Sequence, residues 1–193
     1  MISRKTFIAL MICALLAFII PSVLSSREVK AQSVTDVSPD QTSCPSSIVG
    51  TYIAKTFLNG SFTGRRVITL TRDGNFFAID SNQGGNQGVP PAAQSFPNNR
   101  FTNGQGVWMC TKTGEVTATA LNFNFPDPEN TKSITTARGD YRATFDPDTQ
   151  TLQGIFEIRT FNLTENPLED NVPAGEGEPF TFTFTGQRVT IGK

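Results

Sequence analysis

The chain has 193 residues, with 16 Lys+Arg against 17 Asp+Glu, 16 phenylalanines, three cysteines and no histidine. A net charge of −1 with no basic run, and no basic residues interleaved with aromatics, gives nucleic acid nothing to bind. Without histidine, the commonest general base and metal ligand is missing, and nucleophilic centres built on Ser-His or Cys-His are excluded.

The N-terminus reads as an export signal. Arg4 and Lys5 precede an apolar run from Phe7 to Leu24 that only Pro21 and Ser22 interrupt, and Val29-Lys30-Ala31 offers small-residue cleavage chemistry. A signal peptide over 1–31 is expected. A retained leader would be the chain's one membrane contact, because the apolar run approaches the length of a bilayer crossing. Cleavage after Ala31 removes Arg4, Lys5, Arg27, Lys30 and Glu28 and takes the net charge from −1 to −4. It also removes Cys13, leaving Cys44 and Cys110 as an even pair in a chain bound for an oxidising compartment, where such pairs join.

Residues 32–46 are polar and turn-rich and read as an arm leading into one domain over 47–193. From there, period-two alternation of β-branched and aromatic residues recurs between Gly, Asn, Asp and Pro breakers, and no helix is expected. Eight strands are predicted near Ile48 to Phe57, Arg66 to Arg72, Asn75 to Ser81, Gly104 to Thr111, Val116 to Phe125, Ser133 to Phe145, Leu152 to Phe161 and Phe180 to Ile191. The last is the clearest, with Phe180, Phe182 and Phe184 on one face and Thr181, Thr183 and Thr185 on the other.

The connections suggest how the strands close. Asp73-Gly74, Thr113-Gly114 and Asp146-Pro147-Asp148-Thr149 suit tight hairpins, whereas 58–65, 82–103, 126–132 and 162–179 are longer. In an up-and-down meander successive turns fall at alternate ends. Short and long connections therefore segregate, giving a closed base and a loop-rich mouth. The fold class expected is all-β, an eight-stranded antiparallel up-and-down barrel, in preference to a Greek-key sandwich. Cys44 and Cys110 both fall at the base, which supports a bridge between them.

Gly50-Thr51-Tyr52 on the first strand resembles the lipocalin Gly-x-Trp signature with tyrosine in place of tryptophan, and Arg188 resembles the lipocalin arginine that packs over that ring. The resemblance covers most of 47–191 in strand pattern. It implies a calycin-like barrel whose first and last strands adjoin, with Gly50, Tyr52 and Arg188 packing its base. The plan is similar also to allene oxide cyclase and dirigent barrels, and Gly104-Gln105-Gly106-Val107-Trp108 is similar to a strand motif of exported lipocalin-like proteins.

Alternation assigns Tyr52, Trp108, Tyr141, Phe145, Phe156, Ile158, Phe182 and Phe184 to the inner face. Of these, Trp108, Tyr141, Phe156, Ile158, Phe182 and Phe184 are the candidates to touch a ligand. Ala118, Ala120, Ala137, Gly139 and Ala143 share that face, and either leave space near the mouth or accommodate the rings opposite. Arg138, Asp140, Arg142, Glu157 and Arg159 are expected outside as cross-strand ion pairs. Asp80, Glu165, Glu169, Asp170, Glu176 and Glu178 fall at or near the mouth without the spacing of a calcium loop. Asn59 and Asn162 begin glycosylation sequons. No catalytic residue, metal or cofactor is indicated. The function expected is binding of a small apolar molecule in the lumen, with a barrel isomerase or cyclase, or a filled-barrel interaction protein, as alternatives.

Overall fold

The computed structural model describes residues 44–85, 90, 100–126, 134–169 and 179–192; the signal segment, residues 32–43 of the arm, and Asp170, Glu176 and Glu178 lie outside them. The chain divides into residues 1–37 and 38–193, and every described residue belongs to the second unit.

Nine strands form: β1 (Gly50–Leu58), β2 (Ser61–Leu70), β3 (Asn75–Asp80), β4 (Arg100–Phe101), β5 (Gly104–Cys110), β6 (Val116–Phe125), β7 (Thr135–Asp146), β8 (Thr151–Asn162) and β9 (Phe180–Arg188). All pairings are antiparallel. Each main strand pairs with its neighbours in sequence, β6 also joins β7, and β1 closes onto β9. The two-residue β4 extends the line of β5 along β6: Arg100 faces Phe125, Phe101 faces Asn124, and Gln105 faces Leu121. Counting β4 with β5, the structure is a closed eight-stranded antiparallel up-and-down barrel. Closure pairs the edges that an open sheet would leave free.

The turns at Asp73-Gly74, Thr113-Gly114 and Pro147–Gln150 lie at one end, as alternation requires. One connection differs from expectation. The segment 58–65 is no long loop; β1 and β2 meet through a two-residue Asn59-Gly60 turn with φ of 48° and 78°. Both central residues of such a turn need positive φ, which glycine adopts freely and asparagine tolerates. A register shift between Thr56 and Phe57 then fits β2 onto β1. The mouth therefore carries three long connections and one hairpin.

Strand one also starts later than expected. Ile48 lies in a short 3-10 turn (Ser46–Ile48) and is fully buried with Tyr52, Leu70, Trp108, Cys110 and Leu152 in the core. Cys44, just before that turn, is bonded to Cys110 with a Cα–Cα separation of 5.8 Å.

Candidate functional site

The inner face divides by height. At the base, Tyr52 donates its hydroxyl to the Ile48 carbonyl at 2.5 Å. The Arg188 guanidinium lies 5.8 Å from the centre of the Tyr52 ring, an attractive cation-over-ring arrangement. The same guanidinium donates to the Ser47 and Val49 carbonyls and, at 3.0 Å, to the Gln150 side chain. Gly50 is small for a reason visible in space: a Cβ there would come within 2.6 Å of the Arg188 side chain. Gly50, Tyr52 and Arg188 thus form one cluster around the register pair Tyr52↔Arg188. Trp108 donates its indole N–H to the Thr71 carbonyl at 2.9 Å.

Above the base the barrel is not full. A cavity of about 170 Å³ occupies its mouth-side half. One wall is small, with Ala78, Gly104, Ala120, Ala137 and Gly139. The other carries Tyr141, Phe156, Ile158 and Phe182. Phe156 stacks on Phe182 at 4.7 Å with ring planes 4° apart, and on Tyr141 at 5.2 Å. Of the six ligand candidates from sequence, these four line the cavity. Trp108 and Phe184 do not; they are buried in the packed core below it. The alanines behave accordingly, with Ala120 and Ala137 bordering space while Ala118 and Ala143 are covered by packed neighbours.

Two charges in the lumen have no counterpart among those candidates. Arg66 is only 6% exposed and faces inward with Asp80, its register partner across β2 and β3. Arg66 Nε donates to Asp80 Oδ1 at 2.7 Å, and Nη1 donates to the Tyr141 hydroxyl at 2.6 Å. The guanidinium carbon lies 3.9 Å from the centre of the Phe156 ring. Burial is the largest single influence on Arg66 and acts against its charge, but Asp80, through its charge and its hydrogen bond, and Tyr141 together outweigh it, and the guanidinium pKa is raised. Parity gave the available signal: Arg66 alternates in register with Ile68 and Leu70, and Asp80 with Phe76 and Ala78, all of them buried.

The outer face of β7 and β8 holds the remaining charged candidates. Arg138 pairs with Asp140 at 2.9 Å, and Glu157 forms looser ion pairs with Arg142 and Arg159 at 3.7 and 3.6 Å. Arg138 also reaches the Pro167 carbonyl, and Glu165 receives the Asn162 backbone N–H, so these groups hold the start of a mouth connection. None lines the cavity.

Burial pushes the Tyr141 phenol up to about 12, against partial relief from the Arg66 charge, and burial raises Tyr52 as well. These are the only tyrosines in the chain. Both are raised above the unfolded value of 10.0, so the unfolded chain ionises first. Their contribution is fully present below pH 10 and is lost as pH rises through the folded values. For Tyr141 the two-unit gap corresponds to about 3 kcal/mol. In an alkaline absorbance titration, phenolate is expected only well above pH 10, with its onset coinciding with loss of structure. Reversible ionisation near pH 10 in the folded protein would contradict this burial. The protonated phenol is a hydrogen-bond donor at neutral pH rather than a base.

Comparison with protein-family models, curated proteins and solved structures finds no match to this chain.

Proposed function

We propose that this is an exported, non-catalytic binding protein of lipocalin-like build that admits one small, largely apolar molecule through the barrel mouth. The observation that carries the reading is the cavity itself: side chains fill the base, yet about 170 Å³ remains between an aromatic wall, a wall of alanine and glycine, and a set of Thr and Asn residues that includes Thr56, Thr63, Asn122 and Asn124. Concave, mostly apolar space with a few convergent polar groups is what small-molecule sites require. The Gly50, Tyr52 and Arg188 cluster supports the lipocalin-like part. The disulfide supports an oxidising compartment as the destination, while cleavage behind Ala31 rests on the leader's sequence alone.

The phenol and guanidinium in the lumen favour one second reading, an isomerase or cyclase similar to allene oxide cyclase that acts by shaping its substrate. Tyr141 would serve there as an acid or electrophilic donor, since its high pKa does not suit a base.

Native mass spectrometry of protein purified from an exporting host, followed by solvent extraction, tests the binding reading. The expected result is one retained small molecule per barrel. Ala120→Leu, which pushes a larger side chain into the cavity wall, is expected to abolish retention with little change of fold. Retention unaffected by that substitution would place any ligand elsewhere and defeat the proposal.

A further inference from the structure

Within the lumen-binding reading, on which this inference rests, the floor of the cavity discriminates among ligands. Arg66 and Tyr141 both border the cavity. Arg66 spends Nε on Asp80 and one Nη1 proton on Tyr141. Nη2 keeps two N–H groups for which the described residues supply no acceptor. The Tyr141 oxygen accepts from Arg66, and the described residues supply no acceptor for its own proton. Gly139 leaves room for this phenol, since a Cβ there would lie 3.2 Å from the ring and 3.5 Å from the hydroxyl. Two donors thus face the cavity side by side, and an acceptor placed there would complete hydrogen bonds that the described residues leave open.

Charge decides what kind of acceptor fits. Arg66 and Asp80 are the only charged residues lining the cavity among those described, and they already neutralise each other. A ligand carboxylate would bring a second anion close to Asp80 in a poorly solvated site, whereas a carbonyl oxygen accepts both hydrogen bonds without adding charge. Volume sets the size: a cavity of about 150 Å³ is known to accept benzene. One ring with a short substituent therefore fits this one.

We propose that the lumen selects a neutral single-ring molecule carrying a carbonyl oxygen, which accepts from the Tyr141 hydroxyl and Arg66 Nη2 while the ring lies among Phe182, Ile158, Ala120 and Ala137. The floor provides polarity and the walls provide shape.

Three probes of nearly equal shape test this: acetophenone, its hydrocarbon isostere α-methylstyrene, and benzoate, each titrated calorimetrically into the mature protein at neutral pH. Acetophenone is expected to bind about tenfold more tightly than α-methylstyrene, as one to two net hydrogen bonds imply. Benzoate is expected to be weaker than acetophenone. Tyr141→Phe keeps the ring stack and removes one donor, so it should erase most of the ketone preference while leaving α-methylstyrene affinity within about twofold. Equal affinity for ketone and hydrocarbon would overturn the inference and leave lumen binding standing. Benzoate as the tightest probe would make this an anion site and overturn it as well. If none of the three binds, the inference fails, and retention in the native mass spectra alone decides the lumen-binding reading.

Discussion

Asp80→Ala is expected to cost about 3–5 kcal/mol, the range seen when one partner of a buried ion pair is removed. Arg66 and Asp80 side chains are 7% and 11% exposed, and their 2.7 Å contact lies inside the barrel wall rather than on it. Removing the carboxylate leaves a guanidinium with Tyr141 as its one remaining hydrogen-bond partner among the described residues and the Phe156 ring beside it. Neither supplies a compensating negative charge. Arg66→Met combined with Asp80→Leu should behave differently, since it removes the charge and its partner together; replacing a whole buried pair by apolar residues is often neutral or stabilising. Urea unfolding followed by circular dichroism reads both variants, provided the slope of the transition is unchanged. A loss below about 1 kcal/mol for Asp80→Ala would mean that the pair is solvated like a surface salt bridge. The double variant also tests the ligand chemistry, because it should keep the fold while weakening the preference for a carbonyl oxygen to what the Tyr141 hydroxyl alone supplies.

The second large effect lies at the opposite end of the barrel. Cys44 and Cys110 are separated by 66 residues in sequence, and their bridge closes a loop containing β1 to β5. Chain-entropy reasoning gives about 4 kcal/mol for a loop of that length, within the 2–5 kcal/mol commonly lost with a native disulfide. The bridge also holds the segment that feeds Ile48 into the core and presents the Ile48, Ser47 and Val49 carbonyls to Tyr52 and Arg188. Cys44→Ala with Cys110→Ala is expected to lose stability in that range, and reduction of the wild-type protein should lower its unfolding midpoint by a comparable amount. Hydrogen exchange at residues 46–49 should rise more than in β7 and β8, because the tether acts locally there. An unchanged midpoint on reduction would count against the bridge.

Much of the barrel was legible because a half-buried antiparallel strand writes its environment into alternate residues. β6 was read at its observed bounds, and the Phe/Thr alternation located β9. The turn lengths alone place Cys44 and Cys110 at one end of the barrel. The mouth-side half of β2 was harder to see. Ser61 to Arg65 has a single large apolar residue, Phe62, so strand pattern was weak there despite the hairpin signal of Asn59-Gly60. The site was legible in its rings and not in its charges. Tyr141, Phe156, Ile158 and Phe182 follow from parity, but parity cannot rank height along the barrel, so Trp108 and Phe184 were indistinguishable from them. Arg66 and Asp80 obey the same parity. A charged residue defaults to solvent unless its partner is known, and that partnership depends on the β2–β3 register.

The packing of the lone tryptophan determines how this molecule can be watched. Trp108 is buried in the base, tied to Thr71 and absent from the cavity lining, whereas the phenol of Tyr141 borders the cavity. Indole emission therefore reports the loss of base packing on unfolding and is a poor witness to events in the mouth. A ligand bound as proposed would be felt at Tyr141, so the same protein could be followed in two optical channels, one for its integrity and the other for its contents.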